Sequence, residues 1–272
     1  VWPGESIQAA IDRAEAGAVI CLAAGTWEEN VEIKKALTLR GVGADRTIIH
    51  GVRAGYPVIW ITTPEEAQRV SVQLAGLMIT GGSGECADTG KGICPDGLLV
   101  EGPVQVEVTD CSISATAHHG ICVVLAEVVI TGSTISGCSN DGLVLVSAQA
   151  MVSALDISEN HLYGVRLWGA AQLEISDSAI HGNRRDGIRL ASSSAATILG
   201  TRITANGRYG VALYRRPCYE TDWDFTGYVS GGQNTIPGPG EPEGNGKGAV
   251  CPAPDLDFLT AEGGGCYGEA CQ

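Results

Sequence analysis

Between residues 120 and 213 the chain repeats a short motif: Gly120-Ile121-Cys122-Val123, Gly142-Leu143-Val144-Leu145, Gly164-Val165-Arg166-Leu167, Gly187-Ile188-Arg189-Leu190 and Gly210-Val211-Ala212-Leu213. With Gly97, which precedes them, the repeat glycines are separated by 23, 22, 22, 23 and 23 residues. Apolar residues fill the first and third places after each glycine, and such alternation is typical of a β-strand with those places facing inward. We expect the turn into each strand to require glycine because of a positive φ.

Two further apolar positions keep the same register. Isoleucine lies seven residues before each of the last five glycines, and valine or isoleucine five residues earlier still: Ile113, Ile135, Ile157, Ile180 and Ile203, then Val108, Ile130, Val152, Ile175 and Ile198. Repeats this short cannot bury an apolar face alone, so they must stack and share a core. The pattern predicts an all-β, single-stranded right-handed parallel β-helix of 22–23 residues per coil, with coils about 4.8 Å apart. Asn160, Asn183 and Asn206 predict an asparagine ladder along the stack.

The two ends of the chain depart from the repeat. Ser6 is a candidate N-cap for a short amphipathic helix with Ile7 and Ile11 on one face, so residues 1–18 are predicted to cap the coils. Coils are then expected over residues 19–216. Residues 217–272 are acidic and rich in Pro and Gly, which predicts an irregular C-terminal cap. We expect a single domain over residues 1–272.

Composition and cysteines indicate where the protein works. Only 5% of the residues are aromatic while 38 are Gly, and no stretch approaches the roughly 20 apolar residues of a membrane span. The chain begins at Val1 rather than Met, as after removal of a signal peptide. The ten cysteines include three candidate disulfides, which favour an extracellular or periplasmic location: Cys86/Cys94, Cys218/Cys251 and Cys266/Cys271. Cys21 is expected to be a buried thiol, and a zinc site is disfavoured because no paired C-x₂-C spacing occurs.

The opening residues also carry a family pattern. Three segments are similar to the start of pectin-methylesterase-like and NosD-like β-helix proteins: Ser6-Ile7-Gln8-Ala9-Ala10-Ile11, Ala24-Gly25-Thr26-Trp27-Glu28-Glu29-Asn30-Val31 and Leu37-Thr38-Leu39-Arg40-Gly41-Val42-Gly43. With the repeats, the chain resembles the pectate-lyase-like superfamily of carbohydrate-binding proteins and sugar hydrolases. The resemblance implies the fold and a carbohydrate partner. The active-site motifs of polygalacturonases, pectin methylesterases and alginate-type epimerases are absent, so no catalytic role carries over.

Polar side chains next to the repeat glycines form a predicted outward stripe. Carboxylates, imidazoles, guanidinium groups and aromatic rings together suit a sugar-binding groove. The candidate substrate-binding residues are His118, Asn140, Tyr163, Arg166, Arg185, Arg189 and Tyr209, and the candidate catalytic residues are His119, Asp141 and Asp186. His119 and Asp141 share a column in neighbouring coils, about 5 Å apart, which permits an acid/base pair. Aspartate before glycine is also a common turn residue, and this alternative stays open.

Charge suggests the chemistry of the ligand. The formal net charge is −14, yet arginines dominate residues 184–216. Arg166 and Arg189 are predicted to stack in one outward column, where a uronate or sulfated glycan could bind both. Alternatively, the acidic C-terminal segment folds back on these arginines, or Asp186 and Glu174 pair with them. The negative net charge and the lack of a recognition motif disfavour nucleic acid.

A loop before the first regular coil holds further carboxylates. Glu85, Asp88 and Asp96 could hold calcium, although the spacing lacks the EF-hand pattern and solvated loop charges are the alternative. No other cofactor is predicted. These observations predict a secreted carbohydrate-binding β-helix that acts on acidic polysaccharide as a lyase, hydrolase or epimerase. The alternative is a non-catalytic extracellular structural or adhesion repeat protein, and the residues leave open whether the stripe is catalytic.

Overall fold

The computed structural model describes residues 1–63, 69–87, 93–221 and 223–268, in two units, Val1–Asn140 and Asp141–Gln272. The first unit begins with helix α1 (Ile7–Arg13) and continues with short strands. In chain order these are β1 (Ala18–Cys21), β2 (Gly25–Glu28), β3 (Val31–Ile33), β4 (Leu37–Arg40), β5 (Thr47–Gly51), β6 (Ile59–Ile61), β7 (Val70–Ala75), β8 (Met78–Gly81), β9 (Leu98–Glu101), β10 (Val104–Thr109), β11 (Ser112–Thr116), β12 (Ile121–Val124), β13 (Glu127–Thr131) and β14 (Thr134–Ser136).

Every third strand of the first unit pairs in parallel, which makes three sheets. The first sheet runs β1-β4-β7-β10-β13, the second β2-β5-β8-β11-β14 and the third β3-β6-β9-β12. Ile113 pairs with Ile135 and Val108 with Ile130, as the sequence ladders predict. These side chains are buried, so each coil shares its core with the next.

Helix α1 caps the first unit as predicted. The Ser6 side chain accepts a hydrogen bond from the backbone N of Ala9 at 3.1 Å, which confirms Ser6 as the N-cap. Glu29 accepts a further bond from the Ser6 hydroxyl at 3.0 Å. Ile7 and Ile11 are buried on the inner side of the helix. No helix among the described residues is long and apolar enough to cross a membrane.

The second unit repeats the three-sheet arrangement. Its strands are β15 (Leu143–Val146), β16 (Gln149–Ser153), β17 (Asp156–Ser158), β18 (Val165–Trp168), β19 (Gln172–Ser176), β20 (Ala179–His181), β21 (Ile188–Leu190), β22 (Ala195–Leu199), β23 (Arg202–Thr204), β24 (Tyr209–Leu213), β25 (Tyr228–Gly232), β26 (Gly248–Cys251) and β27 (Gly265–Tyr267), with a 3-10 helix at Asp257–Thr260. The first sheet runs β16-β19-β22-β25, the second β17-β20-β23 and the third β15-β18-β21-β24-β26.

Coil structure continues past residue 216, into the segment that the sequence predicts to be a C-terminal cap. β25 pairs in parallel with β22, β26 pairs with β24, and Thr235 bridges Arg202. The periodic glycine spacing is lost here because residues 214–227 and 233–247 are inserted between the strands. The last strand, β27, pairs antiparallel with β25 and ends the first sheet.

The predicted asparagine ladder is present and has one more member. Asn160 donates to Asn183 at 2.9 Å, Asn183 to Asn206 at 2.9 Å and Asn206 to Asn245 at 3.0 Å, each from Nδ2 to Oδ1. Each Oδ1 also accepts from the backbone N of the preceding asparagine in the ladder. The side chains are fully buried, so these bonds satisfy groups that water cannot reach.

The repeat glycines are required for space and not for backbone torsion, which corrects the expectation of a positive φ. None of Gly97, Gly142, Gly164, Gly187 and Gly210 is among the residues with positive φ. A Cβ at Gly187 would lie 2.5 Å from Cγ2 of Ile203 and 2.6 Å from the carbonyl O of Gly210. The coil turns instead through other positions of positive φ, such as Asp177 at 49° and Glu159 at 57°.

Two of the predicted disulfides are confirmed, Cys86–Cys94 and Cys218–Cys251. Cys266 is disulfide-bonded, and Cys271 lies outside the described residues. The expectation of a buried thiol is wrong for Cys21, which is exposed because it ends β1 on the outer face. Cys111 is a buried thiol, and burial raises its pKa to about 11.

Candidate functional site

Three buried aspartates directly precede repeat glycines and anchor the following coil. Oδ1 of Asp96 accepts from the backbone N of His119, that of Asp141 from Tyr163 and that of Asp186 from Tyr209, each at 3.0 Å. These bonds give the aspartates a structural role between successive coils, and the catalytic roles of Asp141 and Asp186 stay predictions. His119 belongs to the first unit and Asp141 to the second, so their acid/base pairing stays a prediction.

The first unit brings two predicted residues together with Asp96. Nδ1 of His118 lies 2.7 Å from Oδ1 of Asp96, and the His118 and His119 rings are 3.8 Å apart between centroids. The ligand atoms of Asp96, His118 and His119 all lie within 4.8 Å of one another, so this group could hold a metal ion. The Asp96 carboxylate is also the one predicted to bind calcium together with Glu85 and Asp88. Asp88 lies outside the described residues. Asn140 donates its backbone N–H to the carbonyl of His118 at 3.0 Å.

In the second unit, Arg166 and Arg189 pair in register on β18 and β21, as predicted. Nε of Arg166 lies 2.8 Å from Oδ2 of Asp141, so this arginine already has a carboxylate beside it. Arg189 is only 7% exposed, although the sequence placed it on an outward position. Val144 and Ala212 in the same column are also buried.

The chain after β24 explains why this face is covered. Tyr219 and the Cys218–Cys251 disulfide pack against Ala212, and the Tyr214 ring lies 3.7 Å from Cζ of Arg189. The C-terminal segment therefore folds back on the stripe, as the alternative interpretation held. It supplies carboxylates to two arginines outside the stripe, since Arg202 pairs with Glu243 and Arg215 with Asp255.

Arg189 is surrounded by tyrosines. Its Cζ lies 5.0 Å from the Tyr163 ring centroid and 5.4 Å from that of Tyr219. Its buried Nε has no hydrogen-bond acceptor among the described residues. Arg185 is exposed and donates from Nη1 to the Tyr163 hydroxyl at 3.3 Å. We call Tyr163, Arg185, Arg189, Tyr214 and Tyr219 the arginine–tyrosine cluster.

Asp186 lies at the base of this cluster. It accepts a hydrogen bond from the Tyr219 hydroxyl, and Nε of Arg208 is 3.7 Å from its Oδ1. Burial raises the pKa of the Asp186 carboxyl, although the bonds from Tyr219 and Tyr209 and the charges of Arg208 and Arg189 oppose the change. Burial and the negative charge of Asp186 raise the pKa of Tyr219, so its hydroxyl stays protonated and donates. Tyr209 lies outside the cluster, with its ring 5.7 Å from Cζ of Arg208.

The raised pKa of Asp186 predicts a pH-dependent stability. A carboxyl that holds its proton more tightly in the folded state contributes stability at low pH, and this contribution is lost as the pH rises above the unfolded value of about 4. We therefore expect Asp186→Asn to gain stability relative to the unmodified chain between about pH 4 and about pH 7. Urea denaturation at both pH values measures this difference. Asp177→Asn, at an exposed turn of the same unit, is the control, and an equal difference at both pH values for Asp186→Asn would contradict the assignment.

The sequence missed four aromatic residues near this site: Trp168, Tyr214, Tyr219 and Trp223. Trp168 and Tyr214 occupy the fourth place after their repeat glycines, which is outward by the same alternation, so a signal for them existed. Tyr219 and Trp223 lie in the inserted segment between β24 and β25, where no periodicity applies. Only the folded chain places them against the third sheet.

The comparisons with known proteins agree with this architecture. Residues 96–219 match a family model described as "Right handed beta helix region". The chain is similar to the Agl-KA catalytic domain, with a TM-score of 0.63 and 16% identity over 83% of this chain and 42% of that one. This chain thus spans less than half of that domain. Among curated proteins none matches the chain significantly.

Two other solved structures show the same fold. A pectin methylesterase in complex with hexasaccharide VII has a TM-score of 0.59 and 14% identity, over 94% of this chain and 91% of that one. Pectate lyase Pel9A has a TM-score of 0.57 and 12% identity, over 89% of this chain and 68% of that one. At such identities the similarity concerns the fold alone. The chain has a right-handed parallel β-helix fold, which it shares with pectate lyase Pel9A and the pectin methylesterase.

Proposed function

We propose that this protein binds an acidic polysaccharide, a polyuronate in particular, at the arginine–tyrosine cluster. The Arg189 guanidinium is the main support. This residue is buried, with an exposure of only 7%. Among the described residues, no carboxylate forms an ion pair with it. A cation removed from water is costly, and the Asp186 charge and the facing tyrosine rings offset part of this cost without a direct ion pair. A uronate carboxylate matches the planar fork of the guanidinium.

The rest of the cluster suits the same ligand. Arg185 is exposed beside Tyr163, so a second cation is available to an approaching anion. Aromatic rings stack on sugar faces while polar groups bond hydroxyls and carboxylates. The similar structures include proteins named pectate lyase and pectin methylesterase, the latter in complex with a hexasaccharide. This likeness supports the proposal by analogy of fold only.

The proposed setting is outside the cytoplasm. The disulfides Cys86–Cys94 and Cys218–Cys251 fit an oxidising compartment, and we propose a secreted protein, extracellular or periplasmic. The proposed partner is a polysaccharide or cell-surface glycan and not nucleic acid. We further propose that residues 1–272 act as one β-helix domain.

Arginine variants test the proposed binding. Loss of a charge-assisted contact is worth about 1.5–3 kcal/mol, so we expect Arg185→Ala and Arg189→Ala each to weaken binding of oligogalacturonate about 10-fold or more. Isothermal titration calorimetry with oligogalacturonate, oligoalginate and a neutral dextran measures the affinities. The expected order places both acidic glycans above dextran, with added salt weakening their binding.

Arg202→Ala is the matched control. Arg202 lies in the same unit but on the second sheet, and it forms an ion pair with Glu243. It should bind like the unmodified protein. Arg185 is exposed, so its variant tests the proposal even if Arg189→Ala folds poorly. Equal affinity for acidic and neutral glycans, or no binding to any glycan, would contradict the proposal. The second of these results would favour the non-catalytic structural or adhesion protein.

Catalysis on the same class of polysaccharide is a second candidate function, and the Asp96–His118 contact favours it. The Asp96 carboxylate 2.7 Å from Nδ1 fixes the orientation of the His118 imidazole, an arrangement that general bases use. The predicted catalytic groups Asp141 and Asp186 are fully buried, which suits positioning more than contact with substrate. Assays for reducing ends and for unsaturated products test whether the protein is a hydrolase or a lyase. Loss of such activity in His118→Ala, and in His119→Ala, would support their catalytic roles.

A further inference from the structure

Two tryptophans of the second unit, the half-buried Trp168 and the exposed Trp223, form an aromatic pair that the arginine contacts do not explain. Trp223 is 60% exposed, and its ring centroid lies 5.6 Å from that of Trp168, with the planes tilted by 59°. Large exposed aromatic surface is uncommon on soluble proteins unless it contacts a partner. The pair is therefore a candidate binding surface.

The repeat positions one of these rings and the inserted segment the other. Trp168 ends β18, and Tyr214 lies two coils further along in the same column, with the small buried Ala191 between them. The Trp168 and Tyr214 centroids are 6.2 Å apart. Trp223 comes from the segment between β24 and β25, whose Cys218 is tied to Cys251 of β26. The disulfide thus limits how far this segment can move from the sheet.

The aromatic pair is continuous with the arginine–tyrosine cluster. Cζ of Arg189 lies 3.7 Å from the Tyr214 ring, which in turn contacts Trp168. A ligand held by the guanidinium groups would extend directly over the tryptophans. An indole face stacks well on the C–H face of a pyranose ring. A neutral peptide or lipid has no anionic group to bind the adjacent cations, so it would use only the rings.

We propose that Trp168 and Trp223 form a sugar-ring subsite beside the Arg185 and Arg189 anion site. The ligand is then a glycan that places a carboxylate on the guanidinium groups while a neighbouring pyranose ring stacks on the tryptophans. This inference rests on the proposed function and adds a site for the sugar ring itself. It predicts that oligosaccharides of several rings bind more tightly than a single uronic acid.

Tryptophan fluorescence with oligogalacturonate and galacturonic acid as probes tests the subsite. The oligosaccharide is expected to change the emission of the unmodified protein, and Trp168→Ala and Trp223→Ala should each lose most of this change. Both variants should bind the oligosaccharide about 10-fold more weakly, with little effect on the monosaccharide. Trp2→Ala is the control, since Trp2 is 71% exposed in the first unit and should leave affinity unchanged.

The outcomes separate this inference from the proposed function. If Arg185→Ala weakens oligogalacturonate binding while both tryptophan variants bind normally, the subsite is wrong and the anion site stands. If a neutral cello-oligosaccharide binds as tightly as oligogalacturonate and loses affinity in Trp223→Ala, the subsite stands and the acidic specificity is wrong. If neither glycan changes the emission or binds, or if only an acidic peptide does, the subsite is overturned.

Discussion

Gly187→Ala is expected to lower the free energy of unfolding by about 3 kcal/mol, at the upper end of the usual range for overpacking. The added methyl group would meet Cγ2 of Ile203 at 2.5 Å, the carbonyl O of Gly210 at 2.6 Å and Nδ2 of Asn206 at 2.9 Å. The carbonyl O of Gly210 is backbone and the Asn206 amide is buried and already hydrogen-bonded, so neither can move away easily. Urea denaturation followed by circular dichroism measures the loss.

Gly182→Ala is the matched control. A glycine of positive φ is usually the one that tolerates substitution least, and here we expect the opposite. Gly182 has a φ of +64°, but a Cβ there would meet only Glu159, with Cγ at 3.7 Å and the backbone N at 3.8 Å, which are ordinary van der Waals distances. Glu159 and Ala205 adopt similar positive φ values of 57° and 53° one coil away on either side, so an L-residue is tolerated in this column at a cost of about 1 kcal/mol. Equal destabilisation by the two substitutions would show that torsion, and not space, requires glycine at Gly187.

Asn183→Ala is expected to cost about 3 kcal/mol, because it leaves several buried polar groups without partners. The Asn183 amide accepts from the backbone N and from Nδ2 of Asn160 at 3.1 and 2.9 Å, and it donates to Oδ1 of Asn206 at 2.9 Å. It also donates to the carbonyl of Ile157 at 3.3 Å. Alanine supplies none of these bonds and leaves a cavity. The same denaturation experiment measures the effect.

Arg184→Ala provides the comparison for this substitution. Arg184 is the next residue in the chain and its side chain is exposed, so its loss should change the free energy of unfolding by less than about 0.5 kcal/mol. A small effect of Asn183→Ala, similar to that of Arg184→Ala, would mean that the ladder satisfies polar groups without adding net stability. Asn183→Asp offers a second check, since it keeps the acceptor and removes only the donor.

These two substitutions concern columns that contact each other. The glycine, isoleucine and asparagine columns were identified separately in the sequence, and in the fold Gly187 lies against Ile203 and Asn206 of the following coil. Each glycine leaves room for the isoleucine and asparagine of the next repeat. This mutual dependence explains why all three residue types recur with one period.

Much of the fold was predictable because stacking turns sequence period into spatial register. The N-cap at Ser6, the isoleucine ladders, the asparagine ladder and two disulfides follow from residue type and spacing. The reason for glycine, which is space and not backbone torsion, was not predictable, since it depends on how closely atoms of the next coil approach. The exposure of Cys21 was also missed, because the strands before the regular repeat have no fixed period to show which side faces inward.

The candidate site was predicted only in part. The Arg166–Arg189 column and the Asp186 position follow from the repeat. The burial of Arg189 does not, because Tyr219, which lies beside it, belongs to the inserted segment after β24. No spacing rule relates Tyr219 to Asp186, 33 residues earlier. A periodic pattern describes neighbours in the stack and says nothing about a segment that leaves the stack and returns.

The sequence by itself determined the coil, the register and the order of side chains along each face, since a fixed period leaves one way to stack apolar columns. The tertiary structure decided which outward side chains meet solvent. Arg189, Asp186 and the tryptophan pair owe their surroundings to a disulfide-tied segment that folds over the third sheet. The physical reason is that hydrogen bonding and core packing act between adjacent coils, whereas the covering of a face depends on contacts between residues distant in the chain.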